Sequence, residues 1–168
     1  MGSFIWGIEA AVNNAAYLGA ASGDELVITH ISNNTSSKSA TAEEAGVAQV
    51  DANVAVVTKN GDVITSCIID AVQSKAEFGT DGVVATEAGN VASKNQLGEN
   101  YGMKGFSGIG KEWNEQAAAF AAYVTGKTVE EVAGTALTET TAPAEADLAS
   151  SVTISVGGFM ALIEKIAK

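Results

Sequence analysis

The chain has 168 residues, 46% of them hydrophobic, which is enough for one domain with a sizeable core. Its formal net charge is −11, and its nine basic residues are all lysines. Recognition of phosphates and bases depends on arginine and on a basic surface, so this composition argues against nucleic acid and against anionic membranes as partners.

Residue types that carry much of enzyme chemistry are scarce. The chain has one cysteine, Cys67, and one histidine, His30. A single cysteine excludes an intrachain disulfide, and its apolar neighbours predict a buried thiol. No Cys/His cluster offers a metal site, and a nucleophile–histidine pair is hard to assemble. No apolar run is long enough for a transmembrane helix, and the first residues lack a signal-peptide pattern.

The first half of the chain alternates helix, strand and turn signals. Apolar spacing predicts a helix over residues 4–18 and a strand over 26–31, with a polar loop over 32–44. Residues 46–72 predict two long strands joined at Asn60-Gly61, a dipeptide that favours hairpin turns. A third extended stretch is expected over residues 77–86, turning at Gly82.

The second half predicts an ordered loop and several helices. The loop covers residues 92–110, and an amphipathic helix follows over 111–126. Thr128 with Glu131 forms a capping box for a short helix. Residues 148–156 predict a strand, and a terminal helix opens at Gly157. The expected fold class is α+β: an antiparallel β-sheet packed by two or more helices, with an extra N-terminal helix.

The two ends of the chain resemble each other. Residues 2–9 (GSFIWGIE) align with residues 157–164 (GGFMALIE), with identical Gly, Phe, Ile and Glu. A repeat indicates modular architecture. Residues 1–18 are therefore predicted to be the last helix of a preceding repeat, and residues 19–168 a single α+β module. The alternative is chance similarity between short apolar helices.

Four segments carry a family resemblance: residues 46–51 (GVAQVD), 107–117 (SGIGKEWNEQA), 126–132 (GKTVEEV) and 146–154 (ADLASSVTI). With these, the chain resembles secreted or lipid-anchored proteins of Gram-positive anaerobes that often occur as tandem modules. The resemblance implies an extracellular or cell-surface-anchored location, and neighbouring modules or cell-surface proteins as partners.

That family is distantly similar to FMN-binding domains. Residues 54–72 are similar to the strand–turn–strand element of those domains, and residues 147–166 to their closing strand and helix, where a Ser/Asp-Gly-Ala-Thr/Ser-x-Thr motif holds the flavin phosphate. Aligned on Thr153, the motif glycine is Ser151 and the final threonine is Ser155. The resemblance implies an FMN site at Ser151, Thr153, Ser155 and Gly157. The alternative is a plain strand whose hydroxyls face solvent.

Other motifs have structural readings beside functional ones. Gly108-x-Gly110-Lys111 could cradle a phosphate or form a tight loop. Glu112 with Glu115, and Glu130 with Glu131, could be acid–base pairs or solvated surface. The aromatic residues Trp6, Tyr101 and Trp113 could stack on a flavin or pack in the core.

The sequence is compatible with three functions. The first is a cell-surface module related to FMN-binding domains, acting in flavin binding or electron transfer. The alternative is a cofactor-free structural or self-assembling repeat, with residues 2–16 contacting a neighbouring copy in a head-to-tail oligomer or filament. An enzyme with its own chemistry is the least supported.

Overall fold

The computed structural model describes residues 3–85 and 91–167. Three strands come early in the chain: β1 (Glu25–Asn33), β2 (Gly46–Asn60) and β3 (Val63–Phe78). The helices are α1 (Ser3–Asn13), α2 (Lys94–Leu97), α3 (Trp113–Val124), α4 (Val129–Ala133), α5 (Ala146–Ala149) and α6 (Gly157–Glu164), with 3₁₀ turns at Gly98–Tyr101 and Lys165–Ala167. The predicted α+β class, including the extra N-terminal helix, is confirmed. No helix in these ranges is long and apolar enough to cross a membrane.

The sheet is antiparallel in the order β1-β2-β3. Asn60 pairs with Val63, so the hairpin loop is Gly61-Asp62, one residue later than the Asn-Gly expectation. Gly61 takes the left-handed backbone conformation (φ 59°) that a tight hairpin needs and that glycine adopts without strain. After β3 the chain turns at Gly82, and Val84 forms an isolated β-bridge with Phe78. The extended stretch predicted over residues 77–86 is therefore limited to this one bridge. Thr86, its last predicted residue, lies outside the described residues.

The helices cover one face of the sheet. Helix α3 packs on β3, and α6 packs on β1 and β2. Ala55, Val57, Ile64 and Ile69 point from the sheet into this core and are buried. Three aromatic rings lie at its centre: Trp113 meets Phe159 edge-on at 5.6 Å, and Phe120 lies 5.5 Å from Phe159.

Local capping explains where α3 and α4 begin and end. Gly126, with φ 86°, reverses the chain just after α3, and the Thr128–Glu131 capping box starts α4 as predicted. The Gly126 N–H donates to the Ile64 carbonyl, and the Ile64 N–H donates to the Lys127 carbonyl. The connection between α3 and α4 is thereby fixed to β3.

The predicted strand over residues 148–156 is wrong. Residues 146–149 form α5, and residues 150–156 are irregular. The Ser150 hydroxyl donates to the Asp147 carbonyl, and the Ser151 hydroxyl donates to the Leu148 carbonyl. Short polar side chains that bond to nearby backbone compete with extended pairing, which overrides the β-propensity of this segment. The apolar alternation survives in part, because Val152 and Val156 are fully buried.

The predicted ordered loop over residues 92–110 contains α2 and a 3₁₀ turn. Tyr101 and Met103 pack against the core. Phe106 does not, because its side chain is almost fully exposed. The order of this loop therefore does not depend on Phe106.

Candidate functional site

The first candidate site is the segment that precedes α6. Thr153 and Ser155 are exposed, whereas Ser151 and Gly157 are half-buried. Because the segment is irregular, these four residues do not alternate along a strand end as the alignment implied. Each of the three hydroxyls has a protein partner: Ser151 bonds the Leu148 carbonyl, Thr153 bonds Gln116, and Ser155 bonds the Thr141 hydroxyl.

Gln116 fixes the position of this segment. Its side chain is fully buried in α3, and its Oε1 accepts hydrogen bonds from the Thr153 N–H at 2.8 Å and the Ile154 N–H at 3.2 Å. Its Nε2 donates to the Ser107 hydroxyl and to the Lys111 carbonyl, both at 3.2 Å. One amide thus satisfies backbone groups of two separate loops in the interior.

The residues around Gly157 do not fit a bound phosphate well. A Cβ added to Gly157 would meet the Thr141 hydroxyl at 3.1 Å, so Thr141 covers the start of α6. Thr141 itself has φ 59°, a strained conformation for a β-branched residue. A phosphate at a helix N-terminus needs open N–H groups and free hydroxyls. Here the hydroxyls are engaged and Thr141 crowds the approach.

Sequence reasoning missed Gln116. The one available signal was its position, because Gln116 lies beside Ala117 and Phe120 on the apolar face of the predicted helix. A polar side chain on a buried stripe requires hydrogen-bond partners inside the protein. Which backbone groups it meets depends on the tertiary fold.

The loop with Gly108-x-Gly110-Lys111 is held from inside by carboxylates. Glu112 is buried, and its two oxygens accept the N–H groups of Met103 and Lys104, both at 2.9 Å. Glu115 accepts the Glu112 N–H at 2.8 Å. These carboxylates therefore anchor a loop and cap α3, which begins at Trp113, so Lys111 precedes the helix instead of lying in its first turn.

The aromatic candidates separate into core and surface. Trp113 is buried, Tyr101 is half-buried, and the Lys94 ammonium lies 4.7 Å from the Tyr101 ring centre and 4.9 Å from that of Trp113. A cation over these rings contributes to packing. Trp6 is exposed on α1.

Cys67 is buried, and this burial raises the pKa of its thiol to about 12, which makes it unreactive at neutral pH. It lines a cavity of about 290 Å³ between β3 and α3, together with Ile69 and Ala118. None of the four residues of the predicted FMN site lines this cavity. Within residues 3–85 and 91–167, no group of three His, Cys, Asp or Glu side chains could hold a metal ion.

The second candidate site is α1. Phe4 and Ile8 are 87% and 67% exposed, whereas their counterparts in α6, Phe159 and Ile163, are 3% and 0% exposed. Ile5, Trp6 and Val12 are also exposed. Two segments that are identical at four of eight aligned positions therefore both form helices, one as part of the core and one with its apolar side chains in water.

Asp24 anchors the segment that links α1 to the sheet. Its carboxylate accepts the Thr65 hydroxyl at 2.6 Å and the Ala21 N–H at 2.8 Å, and it accepts the Asn60 amide at 3.3 Å. The hydrogen bond from Thr65, followed by that from Ala21, lowers the pKa of Asp24 below its ordinary value of 3.8. The charged form is thus favoured by folding.

We expect Asp24→Asn to lose stability in a pH-dependent way. Because the folded pKa lies below the unfolded one, the stabilisation is present above pH 3.8 and is lost as the pH falls through the folded pKa. The urea midpoint of the wild type should exceed that of the variant near neutrality, and the two should converge in acid. Asp62→Asn, at an exposed carboxylate in the hairpin loop, is the control. A difference that grows in acid would contradict the assignment.

No family model, curated protein or solved structure matches this chain.

Proposed function

We propose that this chain is a self-associating structural module of a cell-surface array, and that α1 is its contact element. The observation that carries the proposal is the exposure of Phe4 and Ile8 on a helix whose sequence counterpart, α6, is buried. The family resemblance supports the surface location and the tandem arrangement. In such an array the helix joins one module to the next.

The size of the exposed apolar surface supports association. Five apolar side chains of α1 are exposed, which gives roughly 500 Å² if a fully exposed aromatic side chain offers about 200 Å² and an aliphatic one about 100 Å². The largest apolar patch on an ordinary monomer is about 300–600 Å², and patches at that limit often mark interaction sites. The surface on α1 is therefore large enough to act as an interface.

The charge distribution supports the same element. The chain has a net charge of −11, yet Glu9 is the only acidic side chain before Asp24. Two copies that approach through other surfaces bring many carboxylates together, and like charges repel. Helix α1 carries a single carboxylate, that of Glu9. Two acidic copies can therefore meet through α1 with little electrostatic repulsion.

The contact does not require α1 to displace α6 from a neighbouring copy. Leu162 and Ile166 are buried in the α6 site, and the aligned residues of α1 are Gly7 and Ala11. If α1 took the place of α6, these smaller residues would leave cavities in the core, which cost a few kcal/mol. An intact copy therefore keeps its own α6, and the site is free only in a module that lacks this helix.

Sedimentation velocity over a wide range of concentrations tests the proposal. We expect the wild type to associate reversibly, and the double variant Phe4→Ser/Ile8→Ser to stay monomeric. Tyr17→Ser is a matched control, because Tyr17 is as exposed as Phe4 but lies outside α1. A wild type that is monomeric at all concentrations, or a double variant that associates equally well, would refute the function.

Flavin binding is the second candidate, and the exposure of Thr153 and Ser155 directly before α6 is the observation that favours it. Protein expressed with excess FMN would then absorb near the flavin band, and a covalent adduct at Ser155 would add the mass of the flavin. Ser155→Ala is the matched variant. Colourless protein with an unchanged mass would count against this candidate.

A further inference from the structure

The face of the sheet opposite the helices carries an apolar row. Ile28 pairs with Val56, and Val56 pairs with Ile68, so the three side chains stand side by side across all three strands. Ile28 and Ile68 are 63% and 48% exposed, Val56 is half-buried, and Leu26 lies next to Ile28 on the same face with its side chain exposed. We call these four residues the outer row.

An open face of an antiparallel sheet is normally polar. The outer row departs from this pattern at the centre of the sheet, where Thr58 and Ser66 adjoin it on one side and His30, Val54 and Asp70 on the other. Its four side chains expose on the order of 200 Å², taking about 100 Å² for a fully exposed aliphatic side chain. The row is thus a second apolar surface without a partner among the described residues.

We propose that the outer row of one copy receives α1 of a second copy. The inference rests on the proposed function, since it names the surface that α1 contacts. A helix laid on the open face of a sheet completes a layered arrangement in which both faces are covered. The 11 residues of α1 extend about 16 Å, which is enough to cross three strands spaced about 4.8 Å apart.

The combined area fits a weak contact between two copies. Four exposed side chains share one side of α1 and contribute roughly 400 Å² (Phe4, Ile5, Ile8 and Val12), whereas Trp6 lies on the other side of the helix. The outer row contributes roughly 200 Å², so one contact removes roughly 600 Å² of apolar surface from water, below the roughly 1,000 Å² of a stable specific interface. The contact is therefore weak and reversible. Glu9 is the one charge that α1 brings to it, and the outer row itself is uncharged.

The test uses two variants that each lack one side of the contact. The double variant Ile28→Thr/Ile68→Thr removes two apolar side chains of the outer row while keeping β-branched residues on the strands. The double variant Phe4→Ser/Ile8→Ser removes two exposed apolar side chains of α1. Val50→Thr is the control, because Val50 lies on the same face with the same exposure as Ile68 but about 20 Å along β2 from Val56. Circular dichroism and thermal melting of each variant show that it remains folded.

We expect both double variants to be monomeric alone and to form a 1:1 complex when mixed, because each retains the surface that the other lacks. Val50→Thr should associate as the wild type does. If the outer-row variant associates like the wild type while the α1 variant does not, the outer row is not the acceptor and the proposed function stands. If both are monomeric and their mixture stays monomeric, the inference is overturned. A monomeric wild type refutes both.

Discussion

Replacing Gln116 by leucine is expected to lower the free energy of unfolding by about 2–4 kcal/mol. The substitution preserves volume but leaves the N–H groups of Thr153 and Ile154, and the carbonyl of Lys111, without their present partner. Thr153 is exposed, so water can reach its N–H, whereas Ile154 and Lys111 are half-buried, and each buried polar group left unpaired costs about 1–3 kcal/mol. Urea denaturation followed by circular dichroism gives the change directly.

The control for this prediction is Gln73→Leu. Gln73 is exposed and bonds Asp51 and Tyr101 at the surface, so its loss should change stability by less than about 0.5 kcal/mol. Equal effects of the two substitutions would show that Gln116 does not fix the segment before α6. A Gln116→Leu protein as stable as the wild type would show the same.

Phe159→Ala and Phe4→Ala form a matched pair with very different expected results. Phe159 is buried against Trp113 and Phe120, so truncation removes apolar contact and opens a cavity that costs about 3–5 kcal/mol. Phe4 occupies the aligned position in α1 but is exposed, so its truncation should change the stability of the monomer by less than about 0.5 kcal/mol. Thermal or urea unfolding of both variants at low protein concentration measures the difference.

The same pair responds differently to concentration. If α1 acts only between copies, Phe4→Ala has no effect on a dilute monomer and weakens association at high concentration. A second pair of variants, Ile163→Ala and Ile8→Ala, repeats the comparison at another aligned position where the two helices have the same residue, buried in α6 and exposed in α1. Comparable destabilisation by Phe4→Ala and Phe159→Ala would mean that α1 belongs to the core of its own chain.

The elements that could be predicted from the sequence are those decided by near neighbours. The hairpin between β2 and β3 follows from Gly61 and from alternating apolar residues, and α4 follows from the capping pair Thr128 and Glu131. The apolar period of residues 113–124 likewise determines α3. In each case the residues that fix the conformation lie within a few positions of one another.

The segment before α6 could not be predicted in the same way. Its β-branched residues favour a strand, but its N–H groups bond Gln116, 37 positions earlier in the chain. A contact at that separation follows only once α3 and α6 have packed together. The candidate site at Ser151, Thr153 and Ser155 shares this origin, since its geometry is set by Gln116 and Thr141.

The contacts along the free edge of β3 have a consequence for aggregation. β3 is an edge strand of 16 residues, long enough to recruit strands from other chains. Its edge is interrupted at Ile64 by Gly126 and Lys127, at Ile69 by the Asn95 amide, and at Glu77 by the Ala85 N–H. Continuous strand addition along β3 is thereby blocked, so this edge cannot act as an uninterrupted template for fibril growth.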